Sequence, residues 1–147
     1  MTHKYHKGKY RVRNPEKYLG NSRNVEYRSS WELKMMRYLD EKRHIIGWNS
    51  EEIVIPYKSP IDGRYHRYFV DFLVISVDKD GKKKTSLIEV KPEAQTKPPV
   101  VKSRKTKKYL TEVQTWGVNS AKWDAAMEYC ADRKWTFEIF TEKHLGV

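Results

Sequence analysis

The chain has a single cysteine, Cys130, which excludes an internal disulfide, and one cysteine among five scattered histidines gives no spaced set for structural zinc. Cys130 reads as a small buried hydrophobe. Long apolar runs are missing too, since no window approaches the roughly 20 apolar residues that cross a bilayer. The start, MTHKYHKGKYRVR, has no apolar centre like that of a secretory signal, so a soluble protein of cytoplasmic origin with no membrane partner is expected. Acidic residues are scarce beside basic ones, 19 against 30, and the resulting charge of +11 suits a polyanion such as nucleic acid.

What is present supports one folded domain. A chain of 147 residues can bury about two-thirds of its unfolded surface around one core, but it is too short for two ordinary domains. Its 5 Trp, 10 Tyr and 4 Phe supply core material that a disordered basic tail would lack. Residues 1–28 interleave Lys4, Lys7, Lys9, Arg11, Arg13, Lys17, Arg23 and Arg28 with Tyr5, Tyr10, Tyr18 and Tyr27, without a sustained apolar period. They read as a basic arm, either a solvated terminus or a nucleic-acid contact, ahead of a single domain over 29–147.

Ser29, three residues before Glu32, offers a capping box for a helix over about Ser30 to Lys42, with Trp31, Met35, Met36 and Leu39 at helical spacing. EEIVIPY is β-branched and reads as a strand, with Pro56 limiting its pairing. RYFVDFLVISV is the most apolar stretch and predicts a strand buried on both faces, joined through DKDG to a second strand, TSLIEV, in a hairpin. Lys82, Lys83 and Lys84 fall at its tip. A basic loop then leads into a helix from about Thr106 to Arg133, interrupted near Gly117, with Trp116, Ser120, Trp123, Met127 and Cys130 as its core stripe. WTFEIF closes the domain as a strand. The order α-β-β-β-α-β predicts an α/β fold, a mixed sheet flanked by helices.

Three carboxylates stand where carboxylates should not. Asp71 interrupts the apolar stretch from Tyr68 to Ile75, on one strand face with Phe69 and Leu73, and an ionised carboxylate there costs several kcal/mol unless it is paired or binds a cation. Glu89 and Lys91 lie two apart on the next strand and share a face. The hairpin brings Glu89 toward Asp71, forming a two-carboxylate oxygen site of the kind that suits Mg2+ and Mn2+. At about 100° per residue, Glu32 lies roughly 20° from Leu39 and 40° from Met36, on the apolar side of its helix. Each residue has a plain structural alternative: a salt bridge from Asp71 to Arg67 or a helix residue, a Glu89–Lys91 ion pair, and a cap role for Glu32.

A glutamate in the first helix, an aspartate in an apolar strand and ExK in the next strand resemble the PD-(D/E)xK nucleases, which include restriction enzymes, resolvases and transposon end-cutting subunits. The strict PD dipeptide is absent, since Val70 precedes Asp71. Over nearly the whole length, GKYRVRNPEKYLG, YRSSWELKMMRYLD, SEEIVIPYKSPIDGRYHRYFVDF, LIEVKPEAQTKPP, RKTKKYL and AKWDAAMEYCADRKWTFEIFTEKHLG are similar to the head completion nucleases of T4-like tailed bacteriophages. The resemblance implies a restriction-endonuclease-like three-layer core and action at or near the portal vertex after DNA packaging. The protein would then reside in the virion head, and in the host cytoplasm during assembly, with portal-vertex or capsid proteins as partners.

On this reading Asp71, Glu89 and the backbone carbonyl of Val90 hold one or two Mg2+ ions, Glu32 completes the shell directly or through water, and Lys91 stabilises charge at the scissile phosphate. Lys97, Lys102, Arg104, Lys105, Lys107 and Lys108 are expected to hold DNA phosphates, with Lys122 on the second helix a further contact. Two rival functions are a non-catalytic protein docking to DNA or capsid, and an RNA-binding module stacking bases on its tyrosines. The apolar setting of Asp71 has no explanation under RNA binding.

Overall fold

The computed structural model describes residues 7–147, and Lys4 and Tyr5 of the basic arm lie outside them. In chain order, a short ribbon of β1 (Gly8–Lys9) and β2 (Glu26–Tyr27) precedes α1 (Ser30–Glu41) and β3 (Ile45–Ser50). A second ribbon follows, β4 (Val54–Lys58) with β5 (Tyr65–Phe69), and then the hairpin β6 (Phe72–Val77) and β7 (Lys83–Val90). The long α2 (Lys107–Arg133), β8 (Thr136–Phe140) and a final turn of helix, α3 (Glu142–Leu145), complete the chain.

Four strands form the central sheet in the order β3-β6-β7-β8, antiparallel except for the parallel β7–β8 pair. Period-two alternation gives the sheet two apolar faces. Phe72, Val74 and Ile88 point to the face that α1 covers with Trp31, Met35, Met36 and Leu39. Leu73 and Leu87 point to the other face, where Trp123, Ala126 and Cys130 of α2 meet Ile55, Tyr57 and Tyr68 of the second ribbon. The result is three layers, the mixed α/β arrangement expected of a restriction-endonuclease-like core.

Both long helices begin as their sequences specify. The Ser29 hydroxyl accepts the Glu32 N–H at 3.1 Å and the Thr106 hydroxyl accepts the Tyr109 N–H at 3.1 Å, satisfying donors that a helix start leaves open. α2 runs through Gly117 without the expected interruption, because its neighbours keep the i→i−4 ladder intact. Its buried stripe is Asn119, Trp123, Ala126 and Cys130, while Met127, expected in the core, is 50% exposed.

Two strands differ from expectation. RYFVDFLVISV is not one strand: β5 ends at Phe69 and pairs with β4, whereas β6 begins at Phe72 and pairs with β3 and β7. Val70 and Asp71 are where the chain changes sheets, so Phe69 and Asp71 do not share a face. The sequence IIGWNS forms β3, a strand the apolar pattern did not reveal because the pairing of β3 shifts register between Ile45 and Gly47 and breaks the alternation.

The described part of the arm is built into the core. Tyr10, Tyr18 and Val25 are buried beside Trp48, and Asp40, fully buried on α1, fastens the segment. Its carboxylate accepts the Tyr10 hydroxyl at 2.6 Å, the Arg13 N–H at 2.8 Å and the Asn14 N–H at 3.0 Å. Truncating it strands three donors, so Asp40→Ala is expected to lower the unfolding free energy by about 3 kcal/mol in urea titrations. A loss below about 0.5 kcal/mol would mean that aromatic packing alone holds the arm.

Candidate active site

The hairpin register places the first two acids. Phe72 pairs with Ile88, so Asp71, one residue earlier, comes opposite Glu89, one residue later. β6 leaves the ladder at this point: the Val70 N–H donates to the Ile53 carbonyl, and the Asp71 carbonyl accepts the Glu51 N–H at 3.2 Å. The Asp71 carboxylate takes up the donor left open on β7, accepting the Val90 N–H at 2.8 Å. Neither acid has a cationic partner within salt-bridge distance among the described residues. Arg67 lies instead over the Phe69 ring, 5.6 Å from its centre, and Lys91 forms no ion pair or side-chain hydrogen bond with a described residue. The salt-bridge alternatives for Asp71 and for Glu89 with Lys91 are therefore not what the structure contains.

Like charges in a poorly solvated place resist ionisation. Burial, and then the facing Glu89, push the Asp71 carboxyl well above the usual carboxylate range, against the lowering effect of the Val90 N–H. Glu89 is 5% exposed and accepts the indole N–H of Trp123 at 3.2 Å. Tyr68, 3% exposed on β5, closes the wall, its hydroxyl without a hydrogen-bond partner among the described residues. Burial and the charges of Glu89 and Asp71 raise its pKa.

Glu32 enters from the first turn of α1. Its Oε1 accepts the Arg28 N–H at 3.2 Å, one residue before the Ser29 N–H that a full capping box would use. Burial raises its pKa, helped by the charges of Glu51 and Glu89, so the helix cap and the acid cluster share this side chain. Glu51, in the β3–β4 connection, is a fourth acid that the sequence did not mark. Its φ of 55° puts it in the left-handed region, at a cost on the order of 1 kcal/mol for a residue with a Cβ. Trp123 was also legible only as core, since nothing in its spacing signals that its N–H meets an acid.

Among the described residues no group of three or more His, Cys, Asp or Glu side chains is gathered closely enough to hold an ion unaided. Asp71 and Glu89 nevertheless form a hard-oxygen pair with no countercharge among the described residues, beside the Tyr68 hydroxyl, which none of those residues satisfies. That set fits Mg2+, which binds through one or two carboxylates and completes its shell with water and phosphate oxygens.

The basic residues after β7 lie on the surface. Lys97, Lys102, Arg104, Lys105, Lys107 and Lys108 are all exposed, and none forms an ion pair with a described residue. Lys107 and Lys108 open α2, and Lys105 lies over the Tyr109 ring, 5.1 Å from its centre. Lys122 is half-buried, with its ammonium 5.7 Å and 5.6 Å from the ring centres of Tyr57 and Tyr68. It is therefore not a free surface lysine.

Residues 42–142 match the TnsA-like endonuclease N-terminal family. The chain is also 38% identical over 142 residues to the head completion nuclease of Enterobacteria phage T4, covering 94% of this chain and 92% of that one. The chain belongs to the TnsA-like endonuclease family. The stretch of this TnsA-like chain that matches the family contains Asp71, Glu89 and Lys91, while Glu32 precedes it. The likeness to transposon end-cutting subunits and phage head completion nucleases, first visible in the motifs, is borne out.

The strained electrostatics give a pH signature. Asp71 ionises less readily in the folded TnsA-like domain than in the unfolded chain, so its contribution to stability is present at low pH and is lost as pH rises through its native pKa. Asp71→Asn keeps an acceptor for the Val90 N–H but removes the repulsion. It should melt above wild type at neutral pH, with the advantage shrinking toward about pH 4, where the wild-type carboxyl is protonated in the unfolded chain as well. A lower melting temperature at neutral pH would contradict the assignment.

Proposed function

We propose that this chain is a Mg2+-dependent DNA endonuclease that hydrolyses phosphodiester bonds during phage head completion, after packaging. The observation that carries this reading is the Asp71–Glu89 pair, facing acids without a countercharge in a chain of an endonuclease family. Asp71 and Glu89, with the carbonyl of Val90, would hold the ion, and Glu32 would complete its shell directly or through water. When bound, Mg2+ would neutralise charge on the scissile phosphate and make a neighbouring water more acidic.

The chain's own groups then divide the work. Trp123, by donating to Glu89, fixes that carboxylate so that it need not reorganise as charge develops. Lys91 has no side-chain partner among the described residues to release before it meets a phosphate oxygen or a nucleophilic water, and it supplies positive charge to the site. The exposed lysines and arginine from Lys97 to Lys108 bind the backbone of the substrate without reading bases. No acid stands in the first turn of α2, so its N-terminus adds its partial positive charge to theirs. The head completion role named for its phage T4 relative supports a place in the phage head, and we propose portal-vertex or capsid proteins as its contacts, with assembly in the host cytoplasm.

Cleavage of plasmid and linear DNA with Mg2+ or Mn2+ tests the site. Asp71→Ala and Lys91→Ala should each slow cutting by at least about a hundredfold, and chelation of the metal should stop it. If both variants cut as fast as wild type, the site is misassigned. If no divalent metal supports cutting while DNA binding persists, a docking role replaces the enzyme. Neutralising Lys105, Lys107 and Lys108 together should reduce the slope of log affinity against log salt by about 3, measured by anisotropy. An unchanged slope would move the DNA path elsewhere.

A further inference from the structure

Arg28 and Glu51 come from separate parts of the chain and meet at the rim of the acid cluster. The Arg28 guanidinium pairs with Glu51 Oε1 at 3.2 Å. At its other end, the Arg28 N–H is bound to Glu32, and Glu51 donates its own N–H to the carbonyl of Asp71. The pair is thus tied by backbone hydrogen bonds to two of the proposed active-site acids. Burial raises the pKa of both Glu32 and Glu51, and the Arg28 charge works against that rise.

Stability does not account for this arrangement. The Arg28 side chain is 58% exposed, and a pair so open to water contributes little to folding. Glu51 has φ 55°, a backbone angle that glycine or asparagine adopts more easily. The other non-glycine residue with positive φ among those described, Lys134, ends α2, where that conformation is ordinary. What the strained turn does achieve is to hold one edge of a guanidinium with a carboxylate, leaving its remaining N–H donors toward solvent beside the acids. Arginine's planar fork suits a phosphate oxygen, and a polyanion approaching several carboxylates needs a fixed positive charge at the entrance.

Resting on the nuclease reading of the site, we propose that Arg28 binds a backbone phosphate of the DNA beside the scissile one, and that Glu51 is the positioning residue that aims it. Arg28 touches substrate, and Glu51 acts through Arg28. The neutral variant Arg28→Gln should therefore raise KM about tenfold while changing kcat by less than about twofold. It should also reduce the salt slope of DNA binding, measured without divalent metal, by about 1. Arg28→Lys, which keeps the charge and loses the fork, should recover the slope but only part of KM.

Glu51→Gly separates positioning from architecture, because it removes the carboxylate and relieves the left-handed backbone together. The full chain carrying it should melt at or above the wild-type temperature and still show a several-fold higher KM, and Glu51→Asn should behave alike. Wild-type KM and salt slope in Arg28→Gln, or a KM defect in both Glu51 variants matched by a lowered melting temperature, would overturn the proposal. Failure of the wild-type chain to cut with any divalent metal would instead defeat the nuclease reading. The binding slopes of wild type and Arg28→Gln would still decide the role of Arg28.

Discussion

Asp71 and Glu89 repel each other across a hairpin whose ladder forces them to face, in a wall of valine, tyrosine and tryptophan where water screens poorly. Much of the surrounding structure holds that unfavourable contact in place. The pairing of β6 with β7 cannot slip by one residue without turning Leu73 and Leu87 off α2 and Phe72 and Ile88 off α1. The Val90 N–H steadies one carboxylate and the Trp123 N–H the other. The energy of the two apolar faces, about 1.5 to 3 kcal/mol for each large side chain buried, is what keeps the acids together.

The change of sheets at Val70 and Asp71 gives this contact its location. Were the chain one continuous strand, the acid would lie against a neighbouring strand's backbone and the Val90 N–H would go to a carbonyl. Leaving the ladder there frees that donor for the Asp71 carboxylate and turns the β3–β4 connection inward, so that Glu51 can reach the Asp71 carbonyl. Helix α1 brings Glu32 from the opposite layer. The site thus gathers residues from both sides of the sheet at one end of the hairpin.

How much of this was legible in the sequence depended on whether the signal was local. Asp71 stood out because a charge within an apolar strand is costly wherever the strand lies. Glu89 followed from the two-residue period and the hairpin turn, and α1 from Ser29 and its apolar spacing. β3 was hidden by its register shift, and by the burial of both Trp48 and Asn49, which erases alternation. No glycine or proline marks the break between β5 and β6. The arm lacks a period of its own because its burial is set by Asp40, some 30 residues from Tyr10 along the chain. Trp123 and Glu89 are separated by 34 residues, and Arg28 meets Glu51 only after α1 and β3 have folded between them.

The fastening of residues 7–28 by Asp40 bears on where this molecule can be divided. The TnsA-like match runs over residues 42–142, yet the face made by Trp48, Phe72, Val74 and Ile88 is covered by side chains that precede that stretch. A fragment cut to the family limits would carry the hairpin and its acids on a bare apolar plate, the kind of surface that drives chains to aggregate. The limit of the TnsA-like match and the limit of independent folding are different lines in this protein, and the second lies nearer the N-terminus.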